Sequence, residues 1–331
     1  MSKQKVRDFI FSDNIEAMLF SRITKKDILI FSAVFLTLGA IFIFHKPSAF
    51  VGDNYSVVEN SNIPKLQIAT SFPLAADWIN SVGKDRVQVS IFASPTDDGL
   101  TQWLKKPSSD AAQETKVFVS MGNNFDQWAK ELSGGDPKIK IDVMVLSDFA
   151  TLTNIHANLS GPSENSQDSS PYYWLSLRNA REAVQGIARE LGGVDAANRE
   201  YYINNAYEYS VELDSLLHET TDVMGGIKNE RVAIDGIKWA PLVDSLQVRV
   251  IGVIDSQSVG SNPKAAGNLK TVLNKNKITT VVTDADSYAR FLEKILSGTT
   301  ILSATIDPWG LNSDNYIDFM RSNISELMRA L

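Results

Sequence analysis

Three aspartates close short apolar runs that read as β-strands: Asp235, Asp284 and Asp307. Asp97 and Asp98 follow another such run in the first half of the chain. Carboxylates at strand ends suit a hard cation such as Mn²⁺ or Mg²⁺, which takes oxygen ligands. Aspartates in these places also serve as turn formers and helix caps, so position alone leaves both roles open. Softer ligands are scarce. The chain has no cysteine, which excludes thiolate metal sites, disulfides, a cysteine nucleophile and a lipid-modified cysteine. No two of the three histidines, His45, His156 and His218, have metal-ligand spacing. Only His156, in a polar stretch, keeps a ligand role open. The sequence contains no glycine-rich phosphate loop, G-x-S-x-G elbow or H-E-x-x-H helix, and no nucleophile–base pair stands out, which argues against an enzyme.

The elements that must place these carboxylates alternate in type. Residues 66–71, 87–93, 116–120 and 139–146 read as strands, with helices at 73–82 and 124–132. Residues 149–170 are rich in Ser and Asn and read as a surface loop. After residue 230 the rhythm repeats, with strands at 231–235, 248–254, 279–283 and 300–306 and helices at 239–246, 263–274, 287–296 and 315–331. Strand–helix alternation predicts parallel, doubly wound sheets, whose ligands sit beyond the carboxyl ends of the strands. Between the two halves, one helix ends near Gly192-Gly193 and a longer one spans 195–224, with Asp195 as its N-cap and Gly225-Gly226 as its stop. Tyr202, Ala206, Tyr209, Leu213, Leu216 and Met224 share one face of that helix, and Ile203, Tyr207, Val211 and Leu217 a second. Two apolar faces predict a helix covered on more than one side.

Residues 28–44 are an uncharged apolar run of 17 residues, at the lower limit for a membrane-spanning helix. Lys25 and Lys26 precede it, with Lys3, Lys5, Arg7 and Arg22 further back. That positive flank predicts a cytoplasmic N-terminus and an extracytoplasmic main body. The first 46 residues hold seven basic and four acidic side chains, so of the formal net charge of −7 the remainder carries −10. An acidic body argues against a nucleic-acid partner.

Several stretches together resemble a known family. They are Ile68-Ala-Thr-Ser-Phe-Pro-Leu74, Ser94-Pro95 to Ser109-Asp110, Pro171-Tyr-Tyr-Trp-Leu-Ser-Leu-Arg-Asn-Ala180, Asn262-Pro263-Lys264, Asp307-Pro308-Trp309-Gly310, and Tyr316 to Asn323 with Met320 between. In this order they resemble the zinc- and manganese-binding solute-binding proteins of bacterial metal ABC importers. The most specific is the third, which is similar to that family's Pro-His-x-Trp-Leu-Asp-Pro-x-Asn-Ala. The resemblance implies two α/β lobes joined by one rigid helix, a metal ion in the cleft, an ABC permease as partner, and no enzymatic activity.

The same resemblance shows where the chemistry departs. The first-lobe histidine falls on Gln102, the histidine of the Trp-Leu motif on Tyr172, and the third on Gly236 or its neighbour Asp235. The acidic position, Asp307, is kept. Zn²⁺ needs about four N, S or O ligands, and neutral Gln and Tyr are weak donors. Gln102, Tyr172, Asp235, Asp284 and Asp307 are thus the candidate site residues, for a divalent cation, Mn or Zn, held weakly or not at all. Asp235, Asp284 and Asp307 form an oxygen-rich alternative set for a harder ion. Gln102 and Tyr172 with Trp103, Trp174 and Trp239 would equally suit a small organic ligand, or a cleft packed shut.

The expected organisation is a cytoplasmic tail at 1–27, a transmembrane anchor at 28–45, a linker at 46–64, an N-terminal lobe at 65–193, a connecting helix at 194–226 and a C-terminal lobe at 227–331. The functional expectation is a membrane-anchored, extracytoplasmic solute-binding protein of a metal ABC importer with a degenerate metal site. The alternative is a ligand-free member acting as an extracytoplasmic interaction module.

Overall fold

Short β-branched runs such as Val117–Ser120 and Thr280–Thr283 are buried along their whole length, the pattern of parallel strands covered on both faces. The computed structural model describes residues 64–92, 114–123, 125–131, 141–153, 159, 170–225, 227, 230–260, 263–284, 287–310 and 313–331. The apolar run at 28–44, Gln102, Trp103 and His156 lie outside them. Among the described residues no helix is long and apolar enough to cross a membrane.

The first lobe holds β1 (Leu66–Thr70), α1 (Pro73–Gly83), β2 (Val87–Ile91), β3 (Val117–Ser120) and β4 (Asp142–Val145). Its strands are all parallel, in the order β2-β1-β3-β4. Proline opens α1, where its missing N–H costs nothing. Gly83 closes it because a Cβ there would lie 2.3 Å from the Val87 side chain. The helix expected at 124–132 is instead a 3₁₀ turn at Gln127–Glu131. The reason is Asp126, whose carboxylate folds back onto the strand ends, as described below.

Two helices follow, α2 (Leu177–Val194) and α3 (Arg199–Met224). α2 runs through Gly192 and Gly193 rather than stopping there. Asp195 does not cap α3 but stitches the turn between the helices, accepting from Asn198 Nδ2 at 2.7 Å and Tyr202 Oη at 2.8 Å. At 26 residues, α3 is about 39 Å long. Its first apolar face is buried throughout and packs against α1 and α2. Its second face is mostly bare: Ile203, Tyr207 and Val211 are 41%, 70% and 47% exposed, and only Leu217 leans on the core. The expectation of a helix covered on two sides is therefore not met among the described residues, where α1 and α2 pack on the first face.

The second lobe contains β5 (Val232–Asp235), α4 (Ala240–Ser245), β6 (Val250–Ile254), α5 (Ser256–Gly260), α6 (Pro263–Lys275), β7 (Thr280–Thr283), α7 (Ser287–Leu296), β8 (Leu302–Thr305) and α8 (Tyr316–Ala330). The order is β6-β5-β7-β8, again all parallel. Each lobe thus repeats one winding, with its first strand inside and its second at the edge. One continuous apolar core runs through both lobes, from Val117 and Trp174 to Val232 and Tyr316.

Candidate functional site

Loops beyond the strand ends of the two lobes meet, Phe125 after β3 lying 6.5 Å from Trp309 after β8, centroid to centroid. On the first-lobe side the junction is organised by Asp126, 1% exposed. Its carboxylate accepts from Ser71 Oγ at 2.5 Å, Ser120 Oγ at 2.6 Å, and the Met121 and Gly122 amides at 2.9 and 3.0 Å. A buried carboxylate needs such donors to offset its lost hydration. The result is that the loops after β1 and β3 are locked together. Tyr173 joins them, its hydroxyl donating to the Met121 carbonyl at 2.8 Å.

On the second-lobe side the three aspartates stand where the sequence places them. Asp235 ends β5, Asp284 follows β7, and Asp307 lies two residues beyond β8. Each is already engaged. Asp235 is buried and accepts from the Ser256 amide at 3.3 Å and Thr283 Oγ1 at 3.0 Å. Burial raises its pKa to about 6, against the opposing pull of the Ser256 hydrogen bond and the Lys238 charge. Asp284, also buried, forms an ion pair with Lys238 Nζ. Asp307 holds its own loop, accepting from the Trp309 and Gly310 amides at 2.8 and 3.1 Å. The side chain of Asn323 brackets the Asp307 backbone, accepting from its N–H at 3.0 Å and donating to its C=O at 2.7 Å. Among the described residues no three His, Cys, Asp or Glu side chains come together in a metal-holding group.

Tyr172 faces this set from the first lobe. Burial, aided by the nearby negative charge of Asp284, raises its phenol to about 12, so it stays neutral at physiological pH and is a poor metal ligand. Its ring lies 5.0 Å from that of Trp174 and 5.5 Å from that of Trp309. Lys238 thus pairs with Asp284, the charge of Asp284 acts on Tyr172 and that of Lys238 on Asp235, while Asp307 is turned to its own loop.

An aromatic cluster fills the space between the lobes. Trp174 is fully buried and lies 4.9 Å from Phe72, 5.4 Å from Phe125 and 6.1 Å from Trp309, centroid to centroid. Its Nε1 donates to the Pro308 carbonyl at 2.9 Å, and its own carbonyl accepts from Tyr316 Oη at 2.7 Å. Gly310, with φ of +68°, lets the second-lobe loop approach α1, since a Cβ there would meet Leu74 at 2.7 Å. Trp174 and Trp239 are thus core residues, not the walls of an open cleft. A surface hollow lies elsewhere, between α1, α3 and the start of α8, lined by Asp77, Lys84, Glu208 and Asp318. His218 is exposed on α3 beside Asp222.

Sequence reasoning overlooked Asp126, Lys238 and the bridging role of Trp309. A signal existed for two of them. Lys238 is a lone base three residues after a strand-end aspartate, and Trp309 is a bulky aromatic in an Asp-Pro-x-Gly turn.

Two all-parallel α/β lobes of the same strand order are the architecture of a two-lobed binding protein. The profile of the family described as zinc-uptake complex component A, periplasmic (ZnuA), matches residues 68–330, and the chain belongs to that family. The family consists of solute-binding proteins of ABC transporters, not enzymes. It is 24% identical over 284 residues to the manganese ABC transporter substrate-binding lipoprotein PsaA of Streptococcus mitis, covering 81% of this chain and 89% of the relative. It is 22% identical over 284 residues to the manganese-binding lipoprotein MntA of Halalkalibacterium halodurans, covering 80% and 88%. Among solved structures, the fold matches a mutant of the laminin-binding adhesin Lmb of Streptococcus agalactiae with a TM-score of 0.66 at 20% identity, over 80% of this chain and 99% of that one. The AdcAII protein of Streptococcus pneumoniae matches with a TM-score of 0.65 at 20% identity, over 81% and 99%.

Proposed function

We propose that this chain is a membrane-tethered, extracytoplasmic solute-binding protein of a metal ABC importer whose metal site is degenerate. The observation that carries this reading is the prior commitment of all three strand-end carboxylates. Asp307 is taken by loop amides, Asp235 by Ser256 and Thr283, and Asp284 by Lys238. An incoming ion would have to break these contacts and would meet a neutral phenol, not an imidazole, at Tyr172. Gln102 completes the proposed set as a neutral, weak donor. The cargo class, Zn²⁺ or Mn²⁺, follows from family membership, and the partner is an ABC permease with its ATPase. A thermal melt of the full-length protein in detergent, with Zn²⁺ or Mn²⁺ in micromolar excess, should show little stabilisation, because only tight binding to the folded state raises the melting point. A large rise abolished by Asp307→Ala contradicts the reading.

The tether follows from sequence. The curated relatives named above are lipoproteins, but these 331 residues contain no cysteine to carry a lipid. The apolar run at 28–44, with its positive flank, supplies the anchor instead, leaving residues 1–27 cytoplasmic, 46–64 as linker and the lobes at 65–193 and 227–331 outside. Carbonate-washed membranes should retain the protein, and deletion of 28–44 should release it; retention after that deletion contradicts the assignment.

The second reading, a ligand-free interaction module, is favoured by the aromatic cluster. Trp309 of one lobe packs on Tyr172 and Trp174 of the other, occupying space that an open cleft would leave to a ligand. If stimulation of a reconstituted importer's ATPase by the protein is unchanged by chelator, this second reading holds; if it depends on added metal, the first does.

A further inference from the structure

We infer that Lys238 is the resident cation of this site: its ammonium takes the place of a bound metal ion and determines that divalent cations are refused. This rests on the degenerate-site reading and adds a cause to it, since the site is occupied as well as short of ligands. Lys238 lies in the 3₁₀ turn at Ile237–Trp239, directly after the Asp235–Gly236 strand end. From there its Nζ pairs with Asp284 and approaches the Trp239 ring to 5.4 Å. Its charge also acts on Asp235. The pair is sheltered, with side chains 23% and 10% exposed for Lys238 and Asp284. A buried carboxylate in such a place requires a compensating charge.

The turn carrying Lys238 also reaches the other lobe. Ser170 Oγ donates to the Lys238 carbonyl at 3.5 Å and accepts from the Tyr172 amide at 3.2 Å. The backbone of this turn therefore touches the other lobe, while the ammonium is held at the strand ends of its own lobe by Asp284. A divalent ion entering here would meet a fixed positive charge a few ångströms away in a partly dry environment. Such repulsion weakens binding on the order of hundredfold or more. Unlike a metal, the ammonium is covalently tethered, so its charge compensation does not depend on supply.

The test compares full-length wild type with Lys238→Ala and with Lys238→Met, which preserves volume, in detergent. Calorimetric titration with Mn²⁺ should give affinity for either variant on the order of hundredfold above wild type, lost again when Asp284→Asn is added. In the same variants, Mn²⁺ or methylammonium should restore thermal stability, while choline at equal ionic strength should not. A purely packing role for Lys238 would not give this cation dependence. Folded variants that bind Mn²⁺ no better than wild type overturn the inference. So do variants that stay unfolded at saturating Mn²⁺ and methylammonium, since a small cation should do the ammonium's work. The variant-to-wild-type ratio judges Lys238, whereas the absolute affinity of wild type judges the degenerate-site reading, so the two fail separately.

Discussion

Trp174 ties the two lobes together, and its removal gives the sharpest stability prediction. The side chain is fully buried, contacts Phe72, Phe125, Tyr172, Tyr173 and Trp309, and donates to the Pro308 carbonyl. An indole of this kind buries roughly 150–250 Å². At about 25 cal/mol per Å² that is roughly 4–6 kcal/mol against an extended unfolded chain, an upper bound. Large-to-small aromatic substitutions cost about 3–5 kcal/mol in practice, and Trp174→Ala should fall there. Trp174→Phe keeps most of the packing but strands the Pro308 carbonyl, so it should cost about 1–2 kcal/mol. The assay is urea unfolding of full-length protein in detergent, followed by circular dichroism, with the midpoint read at unchanged slope. Two resolved transitions in Trp174→Ala would show the lobes uncoupled. A loss below about 1 kcal/mol would be an ordinary surface effect and would refute the claim that this cluster joins the lobes.

Asp235, with its pKa raised to about 6 from 3.8, costs stability when ionised. The folded state holds its proton more tightly than the unfolded one, so its contribution is full below about pH 4 and is lost as pH rises through about 6. The loss is on the order of 3 kcal/mol. Asp235→Asn should flatten the stability–pH curve across that window; an unchanged slope sinks the assignment. Asp307→Ala removes the acceptor for the Trp309 and Gly310 amides and should lower stability by about 2–3 kcal/mol by urea unfolding, with or without Mn²⁺. A cost that appears only with metal would make Asp307 a ligand. Tyr207→Lys on the bare face of α3 should change stability by less than about 0.5 kcal/mol; a loss well above that would mean the face is covered.

The scaffold was legible because parallel α/β lobes leave strong marks. Buried strands such as Val117–Ser120 read as apolar runs, and strand–helix alternation gave both sheets. Short-range signals misled where a distant partner decided the outcome. The 124–132 segment has a helical look, but Asp126 is drawn to Ser71, fifty-five residues away. Asp195 resembles a cap, yet it binds Tyr202 Oη within a tight turn. The second apolar face of α3 was legible as a pattern, but nothing in the pattern says whether a neighbour lies against it. The site was half legible. The three aspartates were named from their strand-end positions and Tyr172 from the family resemblance, and the charge of Asp284 acts on Tyr172. Lys238 was missed although it is a lone base three residues past a strand-end aspartate, because its partner Asp284 is brought beside it only by the turn at Gly236, with φ of +80°, and by the fold.

The central claim is that family architecture persists here without the family's metal site. Isothermal titration of Zn²⁺ and Mn²⁺ into full-length wild-type protein in detergent tests it most directly. The account predicts no saturable heat at micromolar metal, with Lys238 retaining its pair with Asp284 throughout. A one-to-one isotherm with submicromolar affinity for either ion would contradict it.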